Sequence, residues 1–250
     1  MSVEGPPPDV FADLGAEEQR LEQVLLGLDE HRWSTESGAV GWSITDVVLH
    51  LAQSEELVLV ALGAAESTLP SGPAGATMDQ AMDDLVRRQR AAPEEVLARW
   101  RRGRRSALAA LRDADPGRAV PWAAAPLRPA TLATTRLAEH WTHGLDITGP
   151  LGVDFDDTDR LQHVAWLAHR SLPYAFSLAG VDPQPVRCEL DGPDGAPWRY
   201  GPPDAPTRVE GSAGDFCRVA ARRLDPAGAH LQAEGPYGEQ VLTLVRTYAA

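Results

Sequence analysis

Apolar positions recur at helical spacing through roughly the first 180 residues of the chain, and at strand spacing only after them. Between residues 9 and 29, Val10, Leu14, Leu21, Val24, Leu25 and Leu28 share one helical face, so a first helix is expected there. The stretch GWSITDVVLHLAQSEELVLVALGAAE begins with Ser43 and Asp46 in capping-box positions and stays apolar to about Ala65, which predicts a second, largely buried helix. TMDQAMDDLVRRQRAA and PEEVLARWRRGRRSALAALRDA follow as one kinked helix or two, with Pro93 placed to start the latter. After a loop rich in Pro and Trp, helices are expected through RLAEHWTHGLDI and through DDTDRLQHVAWLAHRSLPYAFSLAG, with Pro173 as a kink or break and Gly180 as a stop.

The texture then changes. VRCEL, PWRYG, TRVEG and HLQAEG are short, strand-like and separated by Gly, Pro and Asp turns, with helical stretches at AGDFCRVAARRL and YGEQVLTLVRTYA. The expected fold class is therefore α plus α+β: a helical domain over 1–180 and a small α+β domain over 181–250, with the boundary near Val181.

Composition narrows the partners. Acidic residues outnumber basic ones 36 to 23, for a net charge of −13, so a polyphosphate is repelled and nucleic acid is not an expected partner. Every basic residue is Arg, and neither Lys nor Asn occurs, which fits a GC-rich coding sequence and lowers the weight of any single Arg run. The run RWRRGRR is expected to be a solvated helix face. Two cysteines, Cys188 and Cys217, make no paired motif and are expected as small buried hydrophobes. With no signal-like start and no apolar run of membrane length, a cytoplasmic location and no membrane partner are expected.

The chemistry gathers in two helices. Glu139 and His143 are four residues apart and so share a face, either as an ordinary solvated pair or as two ligands on adjacent turns. His50 lies between Leu49 and Leu51 in the most apolar helix, where an unpartnered imidazole costs about 1 to 3 kcal/mol. It is either a core histidine satisfied by a carbonyl or by Asp46, or a third ligand. A His, Glu, His set leaves a fourth position open, the pattern of a catalytic zinc site, although these ligand types also suit nickel, iron or manganese.

The segments GWSITDVVLHLAQSEE and RLAEHWTHGLDI resemble the two helix motifs of the mycothiol-dependent maleylpyruvate isomerase family of the DinB-like superfamily. VPWAAAPLRPATLATTRLAEHW, HRSLPYAFSLAG, WRYGPPDAPTRVEG and DFCRVAARR are similar to segments of an actinobacterial metal-binding subgroup, so the likeness spans nearly the whole chain. The resemblance implies a DinB-like four-helix bundle, then a small sterol-carrier-like α+β domain, with one zinc on His50, Glu139 and His143. It also implies mycothiol, a low-molecular-weight thiol, as cosubstrate, and a small electrophilic substrate that is isomerised or S-conjugated. In the isomerase, thiolate addition to a conjugated double bond permits rotation before the thiol leaves. The family's important arginine in its last domain matches Arg223, with Arg222 as the alternative, in the role of binding a substrate carboxylate, or else as a surface residue at a helix end. Rival functions on the same fold are a natural-product cyclase or hydrolase and a non-catalytic protein that binds a metal or an apolar ligand.

Around the ligands, His140 points about a quarter-turn from Glu139 and is expected to miss the ion, lying either behind the ligands or, more often, at the surface. Asp146 either orients the His143 imidazole or is solvated near a helix end. Trp42, Trp122 and Trp141 are candidates for core or for the mouth of a cleft. His163 and His169 lack the spacing to bind together on one face.

Overall fold

The computed structural model of the chain describes residues 9–66, 77–122 and 125–247. The Pro-rich start and the last residues of the segment expected as a C-terminal helix fall outside them. The elements run α1 Val10–Leu26, α2 Glu30–Trp33, α3 Ile44–Ala61, α4 Met78–Arg88, α5 Pro93–Asp113, α6 Pro129–Leu151, α7 Leu161–Arg170, α8 Leu172–Leu178, β1 Val186–Asp191, β2 Pro197–Tyr200, β3 Thr207–Ser212, α9 Ala213–Ala220, β4 Leu231–Glu234 and α10 Gly238–Leu244. A helical portion followed by a small sheet with helices is the α plus α+β class expected from the sequence.

Two compact units result, one over Phe11–Phe155 and one from Asp156 onward that also takes in Asp9 and Val10. The change in packing thus comes before α7, ahead of the turn at Val181 where the periodicity changes. The reason is physical: α7 buries Leu161, Val164, Ala165 and Leu167 and packs on α9 and β2, so it belongs with the sheet although its own pattern is helical.

In the first unit, α3 is the central helix and packs on α4, α5 and α6. Ser43 accepts from the Asp46 backbone N–H, and the Asp46 carboxylate accepts from the Ser43 N–H, closing the capping box that starts this helix. Leu21 and Leu25 of α1, Ile44, Val47, Val48 and Leu51 of α3, Val96 and Trp100 of α5 and Ile147 of α6 form one apolar core. Close approach is built in at Gly144 on α6. A Cβ there would lie 2.6 Å from the Phe155 ring. The stretch between α4 and α5 is non-helical at Arg90–Ala92, so the ambiguous segment is two helices.

In the second unit the strand order is β2-β1-β3-β4. β1 pairs antiparallel with β2, Cys188 opposite Tyr200, and parallel with β3, Val186 opposite Thr207; β3 and β4 are antiparallel. Cys188 and Cys217 are fully buried, and burial pushes the Cys188 thiol up to about 12, which leaves it an inert apolar group.

Candidate metal centre

α3 and α6 run antiparallel, because partners rise along one as they fall along the other. His50 faces Glu139 and His143, while Glu55, further along α3, faces Arg136, earlier on α6. The three predicted ligands therefore converge within the first unit. His50 Nε2 lies 3.4 Å and His143 Nε2 3.6 Å from the same oxygen, Oε2 of Glu139. All three ligand atoms fall within 4.8 Å of one another. Two atoms bound tetrahedrally to zinc at its usual bond lengths stand roughly 3.3 to 3.4 Å apart, so the spacing fits an ion and is long for direct hydrogen bonds.

The neighbours fix the rings. His143 Nδ1 donates to Asp146 Oδ2 at 2.9 Å, which leaves Nε2 turned toward Glu139. Of the two roles open to Asp146 in the sequence, the structure selects orientation of the imidazole, and Asp146 itself is buried. Its backbone carbonyl accepts from Gly38 N–H at 2.7 Å, and a Cβ on Gly38 would come within 3.1 Å of the Asp146 Cα. A side chain there would need the Asp146 backbone or carboxylate to give by a few tenths of an ångström. The loop carries Trp42, whose ring centroid is 5.1 Å from His50 and 6.4 Å from His143 and whose Nε1 donates to Asp83 Oδ1 on α4. Trp42 thus forms one wall of the site. Trp141 is core, and Trp122 is half-buried in the loop before α6.

Electrostatics separates the three groups. For Glu139, burial favours the neutral acid, but the facing His143 and His50, with Arg136 nearby, hold its carboxyl well below the usual range. For His143, burial opposes the charge, yet Asp146 and Glu139 outweigh it and push the imidazole up to about 9. His50 goes the other way, because burial exceeds what Glu139 restores. Its Nδ1 is buried with no hydrogen-bond partner among the described residues. Asp46, the sequence's candidate partner for His50, is instead held by Ser43 and by both arms of the Arg90 guanidinium at 2.8 Å.

His140 corrects the sequence reading. It is fully buried, not at the surface, because its side of α6 faces α5. Glu18, Glu55 and His140 form a second group with ligand atoms within 4.8 Å. This group is unsuited to an ion. Trp100 Nε1–H donates to His140 Nε2 at 3.1 Å, and His140 Nδ1 lies 2.8 Å from the Arg136 carbonyl oxygen. An indole N–H only donates and a carbonyl only accepts, so the ring is the Nδ1–H tautomer with its one lone pair already used. The nearby carboxylates also face Arg104 and Arg136. The Arg run on α5 likewise departs from expectation. Arg99 pairs with Glu56 on α3, and Arg101 and Arg104 pair with Glu22 on α1, so these side chains join helices and are not simply solvated.

Sequence reasoning missed Glu55 and Arg136, whose side chains are 1% and 3% exposed and 2.9 Å apart. A signal existed: Glu55 ends a buried run on the same apolar helix as His50, and a charge there requires a partner. Arg223 stands in the turn after α9, exposed, with Nη1 donating to the Ala221 carbonyl at 2.9 Å. Arg222 adopts the left-handed conformation at φ 59°. Both arginines belong to the second unit, whereas the three converging side chains belong to the first.

Residues 14–148, which include all three converging side chains, match the mycothiol maleylpyruvate isomerase N-terminal domain. The chain belongs to this family. Uncharacterized proteins from two strains of Mycobacterium tuberculosis, CDC 1551 / Oshkosh and H37Rv, are each 35% identical to it over 251 residues, covering 97% of this chain and 96% of theirs. The crystal structure of the mycothiol-dependent maleylpyruvate isomerase has the same fold, with a TM-score of 0.64 at 16% identity over 91% of this chain and 94% of that one. A mutant of that isomerase gives 0.63 at 16% identity, over 90% and 92%. The family read from the two helix motifs is thus borne out. No helix among the described residues is long and apolar enough to cross a membrane.

Proposed function

We propose that this chain is a metal-dependent enzyme that uses a low-molecular-weight thiol, mycothiol, to isomerise a small electrophile or to transfer the thiol to it. The supporting observation is the convergence of His50, Glu139 and His143 around one point, in a chain of the mycothiol maleylpyruvate isomerase family. These three residues would hold a divalent ion, zinc by ligand type, and such an ion stabilises a bound thiolate and polarises a substrate oxygen. The protein's own groups supply the rest. Asp146 keeps the His143 ring turned to the site, and Trp42 covers both imidazoles on one side. Glu139 retains 29% exposure and marks the open side. Arg223 is assigned the substrate carboxylate, on the strength of its motif and its planar donor fork.

Two measurements test this reading. Elemental analysis of purified protein should give about one equivalent of divalent metal, lost in His50→Ala. The loaded protein should consume mycothiol in the presence of a conjugated cis-dienoic acid or an epoxide, or convert the acid to its trans isomer. Metal without any thiol-dependent turnover across such a panel would favour a tailoring or binding role, and protein free of metal would overturn the reading altogether.

A further inference from the structure

Beside the three converging side chains, the same α3 and α6 interface holds a second cross-link of a different kind. Glu55 lies five residues after His50 on α3, and Arg136 lies three residues before Glu139 on α6. Arg136 Nε donates to Glu55 Oε1 at 2.9 Å, with both side chains almost wholly buried. The two antiparallel helices are thus joined by adjacent rungs, the His50 rung and the Glu55 rung.

A buried ion pair is a poor source of stability. Its desolvation cost is so large that apolar replacement of both partners is often neutral or stabilising. Its energetic signature is register: sliding one helix past the other by a turn, about 5.4 Å, would leave two buried charges unpaired. The surroundings add to this constraint. Gly103 on α5 brings that helix against Glu55, where a Cβ would sit 3.3 Å from the Glu55 Cβ, and Trp100 on the same helix holds His140, one turn after Arg136.

We propose that the Glu55–Arg136 pair is a positioning element for the metal centre, fixing the register of α3 against α6 so that His50 meets Glu139 and His143 before any ion arrives. The proposal rests on the metal reading above. Its test is the double variant Glu55→Leu/Arg136→Met, compared with the parent and with His143→Ala. Zinc affinity is read by competition with a chelating dye, thermal stability by melting of the metal-free proteins, and the interface by a crystal structure of the metal-free double variant.

The expected result is a metal-free Tm equal to or above the parent's, zinc affinity lower by about tenfold or more, and His50 Nε2 displaced from its 3.4 Å approach to Glu139. A folded double variant whose affinity stays within about twofold of the parent and whose His50 is undisplaced would overturn the proposal. If the double variant fails to fold, Arg136→Lys keeps the charge but loses the Nε–H that meets Glu55 Oε1, and should still weaken zinc binding several-fold; unchanged affinity there overturns it equally. A parent that takes up no zinc defeats the metal reading instead, and the displacement of His50 in the metal-free crystal structure then decides the register claim alone.

Discussion

Single residues set the character of the candidate centre. His50 and His143 present the same ring nitrogen to one carboxylate oxygen, yet only His143 has an acceptor behind it. Removing that acceptor should be felt at the ion: Asp146→Asn is expected to lower zinc affinity about 10- to 100-fold, measured by dye competition, while the protein remains folded. The imidazoles also predict the acid and alkaline behaviour of the metal-free protein. His140 is pressed down to about 3, by burial first and by Arg136 second. An unfolded histidine titrates near about 6.5, so this group's contribution is complete above that pH and is lost as pH falls toward 3. His143, raised to about 9, contributes fully below about 6.5, and that contribution is lost as pH rises through 9. With chelator present, Tm should therefore peak near pH 6.5 and fall on both sides. In His143→Ala the alkaline fall should flatten; a slope as steep as the parent's would refute the assignment.

Among the elements, α6 carries the most constraint. It supplies Glu139 and His143, orients the latter through Asp146, and lets the Phe155 ring lie on Gly144. Gly144→Ala forces a methyl into that ring and should cost about 1 to 3 kcal/mol in urea unfolding, the usual price of overpacking. What could be read beforehand follows from the range of the forces involved. The helix spacings, the capping box at Ser43 and Asp46 and the four strands are local signals, and each lies in the sequence where the element forms. The shared face of Glu139 and His143 is equally local. Which helix lies opposite a residue is not local, and this explains why the burial of His140, the Glu55 and Arg136 partnership and the cross-helix role of the α5 arginines were not legible. The same holds for α7, whose helical period says nothing of the sheet it covers. His50 was legible because an imidazole inside an apolar run is a local anomaly that demands a distant answer.

For the whole molecule, net charge bears on the proposed ion binding. A net charge of −13 concentrates cations near the surface and repels anions. A carboxylate substrate would therefore need a local positive group, the part assigned to Arg223. An ion bound only by the folded chain must stabilise it: zinc at about 100 times its Kd should add roughly 2.7 kcal/mol, visible as a higher Tm in the parent and absent in Glu139→Ala. The link from Asp146 to His143 has a further thermodynamic effect. Because that imidazole is cationic at neutral pH, an ion bound at Nε2 would displace its hydrogen, and loading would liberate acid. Heat recorded by calorimetry will thus contain the ionisation enthalpy of whichever buffer captures that hydrogen, and titrations in two buffers of different ionisation enthalpy, such as Pipes and Hepes, will differ in apparent enthalpy by that difference multiplied by the fraction released.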